Sequence, residues 1–413
     1  MENKFVKDNI ILFAGNLFVS ISGFIYHFFS GRMLGPESYG LLGSLLSINN
    51  VIFTLAIVIQ LSISKLTSET RLRHDSSRIK QIAFLFLRFL VKLGIPAAML
   101  YFIFIGNIAD FLHTDINPLL IVFLIIIFSS LLPINRGIMQ GMQNFKSFSL
   151  SLVIEGLSKL IVLGIFIAVG LSVIGAMTAL LLSYAVPFFI SIIQLKGLYL
   201  AKATEPAGEF NFKPVLITLI ALTSITLFYS ADVMLVRHFL NETMSGYYAA
   251  ISLIGKVVFF GSIPISFVMF PKVNELYIKG KNYYKTSYIS LLGISAFGAV
   301  ASTAFLLFSK FFTKLFFGSA FINIAPLIGL FSIAATLLAM INALVMFNLA
   351  IDRYKFIIIL LLFNIIQIFL LWLFQSSLRQ IIFMLMLLYS ILLIIMLVYS
   401  YSGSPAKAPV LTA

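Results

Sequence analysis

The stretch SGRMLGPESYGLLG, residues 30–43, interrupts a sequence that is strongly apolar on both sides of it. It holds a basic residue, Arg32, followed by the pair Gly35-Pro36, which breaks a helix because proline has no amide hydrogen to donate. Arg32 can extend its side chain to the lipid headgroups. Gly40 then allows close packing where the next helix starts. The stretch is therefore predicted to be an outer turn between two membrane-spanning helices.

The composition places the chain in lipid. Of its 413 residues, 61% are hydrophobic and 10% are charged, and the mean hydropathy is +1.09. A soluble domain carries roughly 25% charged residues, so this chain cannot build a water-facing surface. Several apolar runs exceed the ~20 residues that a helix needs to cross a bilayer, and none alternates with the period of two of a membrane barrel. We predict an all-α integral membrane protein.

Twelve spans are predicted, and the first apolar run is one of them because it has no small-residue cleavage site that would mark a signal peptide. The segments between spans hold nineteen Lys and Arg on one side and five on the other, which places both termini in the cytoplasm. The net charge of +14 then belongs to cytoplasmic loops, and no nucleic-acid partner is expected. The predicted spans are 9–31, 41–64, 81–106, 118–135, 147–170, 173–195, 214–238, 245–271, 286–309, 323–349, 356–375 and 379–401.

The chain divides near its middle. RMLGPESYG (32–40) aligns with HFLNETMSG (238–246) at an offset of 206 residues, and six spans per half give both halves the same orientation. Such a parallel repeat is typical of transporters with a cavity between two bundles. The predicted organisation is a six-helix lobe at 1–200, a cytoplasmic linker at 201–212, a second six-helix lobe at 213–402 and a short cytoplasmic tail at 403–413.

Three motifs resemble the polysaccharide-transporter branch of the MOP flippase superfamily, the Wzx-type exporters of lipid-linked oligosaccharides. They are RMLGPESYG (32–40), RGIMQGMQNF (136–145), and DVML (232–235) followed by GYY (246–248). The outer-turn motif supplies Gly35, Pro36, Glu37 and Gly40, and the inner-loop motif supplies Arg136, Gly137, Gln140 and Gly141. The resemblance implies two six-helix lobes forming a MATE-like V that opens alternately to either side of a prokaryotic cytoplasmic membrane.

Six charged residues lie inside predicted spans, where each costs at least ~2.5–3.5 kcal/mol unless it faces a cavity or a partner. Arg88 and Lys92 share one helical face, and Arg88 is shallow enough to reach the headgroups instead of a cavity. Glu155 and Lys159 are spaced as an ion pair that either neutralises itself or leaves Lys159 facing a cavity. Lys256 lies near the bilayer midplane, where it pairs with an acid from another helix or binds an anion. Asp232 is either a site for a coupling cation or a charge at a helix end.

Four of these six charges are basic, which favours an anionic substrate. The predicted substrate is a polyprenyl-diphosphate-linked glycan, and membrane lipids and other polysaccharide-assembly proteins are the expected partners. Arg32 joins the predicted cationic cavity. Asn49, Asn50, Tyr247 and Tyr248 are candidate sugar contacts, although such residues also link helices.

No metal and no cofactor are expected, because the chain has no cysteine and its four histidines lie far apart. It has no P-loop, so a proton or a sodium ion is the candidate source of coupling energy. A multidrug exporter of the same superfamily is an alternative. A membrane glycan polymerase or glycosyltransferase is another, with Asp110, His113 and Asp115 of the predicted outer loop 106–117 as its candidate catalytic groups.

Overall fold

A computed structural model describes residues 2–72, 76–170, 172–200 and 212–402, and in these ranges the chain is helical without strands. The predicted tail, 403–413, and all but the last residue of the predicted linker lie outside the described residues. The long helices are α1 Glu2–Leu72, α2 Ser76–Leu112, α3 Ile116–Gly141, α4 Phe145–Ala168, α5 Val173–Gln194, α7 Lys213–Phe239, α8 Glu242–Ile278, α9 Tyr284–Leu307, α11 Ala325–Ala350, α12 Phe356–Leu373 and α13 Leu378–Tyr401; the short ones are α6 Lys196–Leu200, α10 Ser309–Phe317 and a 3₁₀ helix at Ser319–Ile324.

The predicted turn at 30–43 is a kink within α1. Only Gly35 leaves the helical conformation, with φ 70° and ψ 176°, and the residues on both sides of it remain helical. A positive φ is readily available only to glycine, and Pro36 suits the first position of the helix that follows. The break predicted at Gly35-Pro36 is therefore present but confined to Gly35, and the predicted turn residues on either side of it are helical.

Eleven helices in the described part of the chain are long and apolar enough to cross a membrane. The first, Ile11–Thr70, has 60 residues and would be about 90 Å long if straight, three times the thickness of a ~30 Å hydrocarbon core. The kink at Gly35 divides it into two arms that are each long enough to span. With α1 counted as two spans, the total is the predicted twelve.

The chain forms two compact units, residues 1–219 and 220–413. Unit 1 contains both arms of α1 together with α2 to α5. Unit 2 contains most of α7, which crosses the boundary, and α8, α9, α11, α12 and α13. Each unit thus has six long helices among its described residues.

In unit 1, α1 packs along α3 through two glycines four residues apart. A Cβ atom on Gly137 would lie 2.8 Å from the carbonyl oxygen of Gln60, and one on Gly141 would lie 2.5 Å from that of Ser64. Small residues at this spacing let two membrane helices approach closely.

The predicted inner-loop motif was misplaced. Helix α3 extends to Gly141, so Arg136, Gly137, Gln140 and Gly141 lie in its last turns, and only residues 142–144 connect α3 to α4.

In unit 2, α11 is the central helix and packs against α8, α9 and α13. The connection between α7 and α8 is two residues long, and Asn241 caps α8 by accepting a hydrogen bond from the Met244 amide at 2.8 Å. Asn364 of α12 donates to the carbonyl oxygen of Ser224 at 3.2 Å, which fastens α12 to α7. These contacts hold the buried polar groups of unit 2 in fixed positions.

Candidate functional site

A buried charge cluster in unit 1 joins α3 to α4. Arg136 lies 2.8 Å from one carboxylate oxygen of Glu155, and Lys159 lies 3.9 Å from the other. Arg136 also donates to the side-chain and main-chain oxygens of Ser151, both at 3.0 Å. We call Arg136, Glu155 and Lys159 the unit 1 cluster; all three side chains are about nine-tenths buried.

The unit 1 cluster carries one net positive charge. Glu155 and Lys159 were predicted to pair with each other, and they do approach, but the closer partner of the carboxylate is Arg136. All three nitrogens of the guanidinium have a partner in Glu155 or Ser151, which uses three of its five N–H donors. Lys159 keeps only the longer contact. It is therefore the cation of this cluster that has the most capacity left for another anion.

Tyr184, which was not predicted, lies beside the unit 1 cluster and connects it to the predicted residue Asn49. Tyr184 of α5 is buried within electrostatic range of Glu155 and Arg136, and its hydroxyl interacts with Asn49 of α1. Asn49 is itself buried, whereas Asn50 is half-buried. Helices α1, α3, α4 and α5 thus all contribute polar groups to the interior of unit 1.

Unit 2 contains a second buried set, formed by Asp232 of α7 and by Tyr248 and Lys256 of α8; we call it the unit 2 cluster. One carboxylate oxygen of Asp232 accepts from the Tyr248 hydroxyl and the other from the Val233 amide, both at 2.8 Å. Lys256 donates to the carbonyl oxygen of Tyr229, and its ammonium lies 5.3 Å from the centre of the Tyr229 ring. Lys256 and Asp232 also attract each other electrostatically. Their charges balance, so the unit 2 cluster is neutral.

A separate set of hydrogen bonds joins α7, one turn before Asp232, to α12 and α13. The main-chain oxygen of Phe228, on the same helix as Asp232, accepts from the Gln367 amide at 2.9 Å and from the Tyr389 hydroxyl at 2.8 Å. The Tyr389 hydroxyl also lies 3.3 Å from the side-chain oxygen of Gln367, so its single hydrogen is shared between the two acceptors. Polar side chains often form hydrogen bonds between membrane helices. Here they join α12 and α13 to α7, in addition to apolar packing.

The remaining predicted cations lie on the outside of unit 1. Arg88 and Lys92 are exposed on α2, and neither forms an ion pair with an acid among the described residues. Arg32 is exposed beside the α1 kink, with its guanidinium carbon 4.2 Å from the centre of the Phe28 ring. Glu37 is exposed one turn further on. These cations are thus exposed, whereas Lys159 and Lys256 are buried.

Two other predicted features differ in the structure: the two tyrosines proposed as sugar contacts, and the outer loop 106–117. The Tyr247 hydroxyl donates to the carbonyl oxygen of Ala320 at 3.3 Å, so it links α8 to the 3₁₀ helix, and Tyr248 is committed to Asp232. The predicted outer loop 106–117 is mostly helical, and only residues 113–115 lie between α2 and α3. In the described part of the chain, no group of three or more His, Asp or Glu could hold a metal ion.

The sequence analysis overlooked the polar partners of these clusters. Asn364 and Gln367 are three residues apart in an otherwise apolar span, and polar residues in such a span usually face other protein groups. That spacing was a usable signal. Tyr229 and Tyr389 gave no comparable signal in the sequence, because aromatic residues are common throughout it.

Solved structures share this fold. A multidrug resistance MATE family transporter of the MOP superfamily, in an inward-facing conformation, superposes with a TM-score of 0.75 at 12% identity, over 93% of this chain and 95% of that one. The lipid II flippase MurJ, in an inward closed conformation, superposes with a TM-score of 0.72 at 15% identity, over 95% of this chain and 88% of that one. At these identities, the likeness establishes a MATE- and MurJ-like fold.

Sequence comparison identifies the family. An uncharacterized membrane protein of Methanocaldococcus jannaschii is 25% identical over 65% of this chain and 68% of its own length. Stage V sporulation protein B of Bacillus subtilis is 27% identical over 37% of this chain and 30% of its own length. The family model described as polysaccharide biosynthesis protein matches residues 5–273. This multi-pass membrane protein belongs to the polysaccharide biosynthesis protein family.

Proposed function

We propose that the protein is a flippase that moves a polyprenyl-diphosphate-linked oligosaccharide across the cytoplasmic membrane by alternating access. Membership of the polysaccharide biosynthesis family supports the glycan, and the fold shared with a lipid II flippase supports the translocation step. A flippase catalyses no bond cleavage in its cargo. The protein is accordingly proposed to be a transporter and not an enzyme.

The observation that carries the proposal is the excess positive charge inside unit 1. A lone charge buried in an apolar lobe is costly, and one carboxylate cannot neutralise both Arg136 and Lys159. A diphosphate offers the two cations the additional anionic oxygens that the lobe itself lacks, and charge-assisted hydrogen bonds of this kind are strong. Arg88, Lys92 and Arg32 add accessible positive charge to the same unit.

The coupling ion is proposed to act in unit 2, and either a proton or a sodium ion is the candidate. Asp232 is the only acidic residue among the predicted site residues of that unit, and its two carboxylate oxygens already accept two hydrogen bonds. A cation that competes with Lys256 for Asp232 would change the charge balance of the unit 2 cluster. Other polysaccharide-assembly proteins are proposed as partners on the cytoplasmic side.

Deletion of the protein tests the proposed cargo. We expect a lipid-linked oligosaccharide to accumulate on the cytoplasmic face, and wild-type protein or Lys159→Arg to clear it. Cells with Lys159→Gln should retain at least about tenfold more of the intermediate than cells with the wild-type protein. The substitution removes the cation whose charge Glu155 compensates least. Lys65→Gln is the matched control, since Lys65 is exposed and lies outside the cluster. Clearance by Lys159→Gln at the wild-type rate contradicts the proposed role of the cluster.

A multidrug exporter is the second candidate, because MATE transporters have the same fold. It predicts export of organic cations that is independent of glycan synthesis. Cells that carry the protein should then resist ethidium better than cells without it, whereas the flippase proposal predicts equal resistance. The enzyme alternative predicts that His113→Ala alters the length of the glycan polymer.

A further inference from the structure

An apolar groove in unit 2 runs between α12 and α13 and is open to the outside of the helix bundle. Its volume is about 570 Å³, within the ~300–1,000 Å³ range of small-molecule sites. One wall is formed by α12 and the other by α13. The lining includes Phe363, Ile366 and Leu370 from α12, Phe374 directly after it, and Gln380, Phe383, Leu387 and Ile391 from α13.

The length of the groove matches one leaflet of a bilayer. From Phe363 to Leu373, the last residue of α12, the helix rises about 15 Å at 1.5 Å per residue, which is half of a ~30 Å hydrocarbon core. One end lies beside the connection between α12 and α13, where lipid headgroups would be, and the other end lies near the middle of the membrane. A single acyl chain would fill it from the headgroup region to the bilayer centre.

The end of the groove near the connection is positively charged. Arg379 is exposed, and its guanidinium carbon lies 5.6 Å from the centre of the Phe383 ring, which lines the groove. Gln380 accepts from the Ser376 amide at 3.2 Å through its side-chain oxygen, which turns its amide nitrogen into the available donor. A guanidinium and an amide at the mouth of an apolar groove suit an anionic headgroup whose acyl chain lies below them.

We propose that the α12–α13 groove is a binding site for an anionic phospholipid. One acyl chain lies between the two helices, and the phosphate is held by Arg379 and Gln380. The occupant is a membrane lipid of the leaflet that contains the α12–α13 connection, and the site is separate from the charge clusters inside the two units. This proposal does not depend on the identity of the cargo.

The single tryptophan of the chain gives a direct test. Trp372 is on α12, two residues from Leu370, which lines the groove; it faces away from the groove, since residues two apart on a helix point about 200° apart. The double variant Trp372→Phe, Phe374→Trp moves the fluorophore to the groove mouth at the same depth. Each protein is placed in nanodiscs that contain acyl-brominated phosphatidylglycerol or phosphatidylcholine, and the quenching of tryptophan fluorescence is measured against lipid fraction.

We expect phosphatidylglycerol to quench the relocated tryptophan with about fivefold preference over phosphatidylcholine, the effect of one basic residue near the surface. The native Trp372 should have almost no preference. Adding Arg379→Gln to the double variant should abolish the preference. Adding Lys310→Gln instead, at an exposed basic residue away from the groove, should preserve it. Equal preference at the two positions, or no effect of Arg379→Gln, means ordinary annular lipid and overturns the proposal.

Two further measurements serve as controls for the fluorescence experiment. Native mass spectrometry of the wild-type protein should detect one retained phosphatidylglycerol that Arg379→Gln loses, which needs no relocated tryptophan. Polyprenyl phosphate added at equal concentration should not relieve the quenching by phosphatidylglycerol. Its preferential binding at the relocated tryptophan would overturn the phospholipid assignment in favour of the isoprenoid carrier.

Discussion

At the residue scale, the two units treat their buried charges differently. In unit 1 one carboxylate, Glu155, serves two cations, and the shorter contact goes to Arg136. In unit 2 one carboxylate, Asp232, balances one lysine and is held by Tyr248. Of the two clusters, only the unit 1 cluster therefore has spare positive charge, and that difference makes the two clusters respond differently to substitution.

Arg136→Gln should be more destabilising than Lys159→Gln. Removing one partner of a buried ion pair costs up to about 3–5 kcal/mol. Arg136→Gln removes the closer partner of Glu155, which keeps only the longer contact to Lys159, and it also removes the donor to both Ser151 oxygens. Lys159→Gln removes a longer contact and should cost about 1 kcal/mol. Thermal unfolding in detergent, followed by circular dichroism with Lys65→Gln as the surface control, measures both. The reverse order would show that Lys159 is the main partner.

Asp232 and Lys256 should be energetically coupled. Each of Asp232→Asn and Lys256→Met leaves the other charge buried without its counterpart, so each is expected to destabilise unit 2 by roughly 3 kcal/mol. The double variant removes both charges and should cost at least about 1 kcal/mol less than the sum of the two single variants. The same unfolding measurement gives the coupling energy. Additive effects would mean that Lys256 is held by Tyr229 alone.

At the element scale, two glycine features shape unit 1. Gly35 bends α1 between its two spanning arms, and the pair Gly137 and Gly141 brings α3 against α1. Gln60 donates to Gln140 at 3.2 Å across this contact, so a polar bond reinforces the close approach. Arg136 is part of the same stretch of α3. The packing of α3 on α1 therefore also sets where the guanidinium of the unit 1 cluster lies.

Gly141→Ala should destabilise the protein by about 2 kcal/mol. Its Cβ would lie 2.5 Å from both the Ser64 carbonyl oxygen and the Thr67 Cβ, and forcing an extra carbon into a packed contact typically costs 1–3 kcal/mol. Gly94→Ala on α2 is the matched control, because a Cβ there meets nothing within 4 Å and alanine favours the helix. It should be neutral or slightly stabilising. A neutral Gly141→Ala would contradict the close α1–α3 contact.

The elements explain where sequence-based prediction succeeded and where it did not. Long apolar runs placed the spans, and the Gly35-Pro36 pair located the break in α1. The same pair could not indicate whether the chain unwinds around the break, since that depends on packing of the flanking turns. The polar residues of RGIMQG (136–141) suggested a loop, but this stretch is helical. Arg136 and Gln140 are tolerated in the helix because they bind Glu155 and Gln60, and the sequence does not show these contacts between helices.

At the scale of the whole molecule, the described residues form two units with six long helices each, and their origin in an internal repeat stays a prediction from the sequence. The composition was sufficient to identify a helical membrane protein, and three motifs were sufficient to identify its family. The candidate site was only partly predictable. Its ionisable residues stood out against the apolar background, but the geometry that divides Glu155 between Arg136 and Lys159 depends on how α3 packs against α4.

The orientation of the whole molecule in the membrane stays a prediction from loop charges, and the absence of cysteine makes it testable. Ser377→Cys, in the α12–α13 connection, should react with a membrane-impermeant maleimide in intact cells. Lys279→Cys, at the end of α8, should react only after the cells are permeabilised. The unchanged chain is the blank for both. The opposite labelling pattern would mean that both termini lie outside.

The central claim is that the unit 1 cluster has positive charge to spare for an anionic lipid-linked glycan. The most direct measurement is the flipping rate of a polyprenyl-diphosphate-linked oligosaccharide in proteoliposomes, compared between the wild-type protein, Lys159→Arg and Lys159→Gln. The account predicts a wild-type rate well above that of protein-free liposomes, a similar rate for Lys159→Arg, and a loss of about tenfold or more for Lys159→Gln at equal folded protein. Equal rates for Lys159→Gln and the wild-type protein would contradict it.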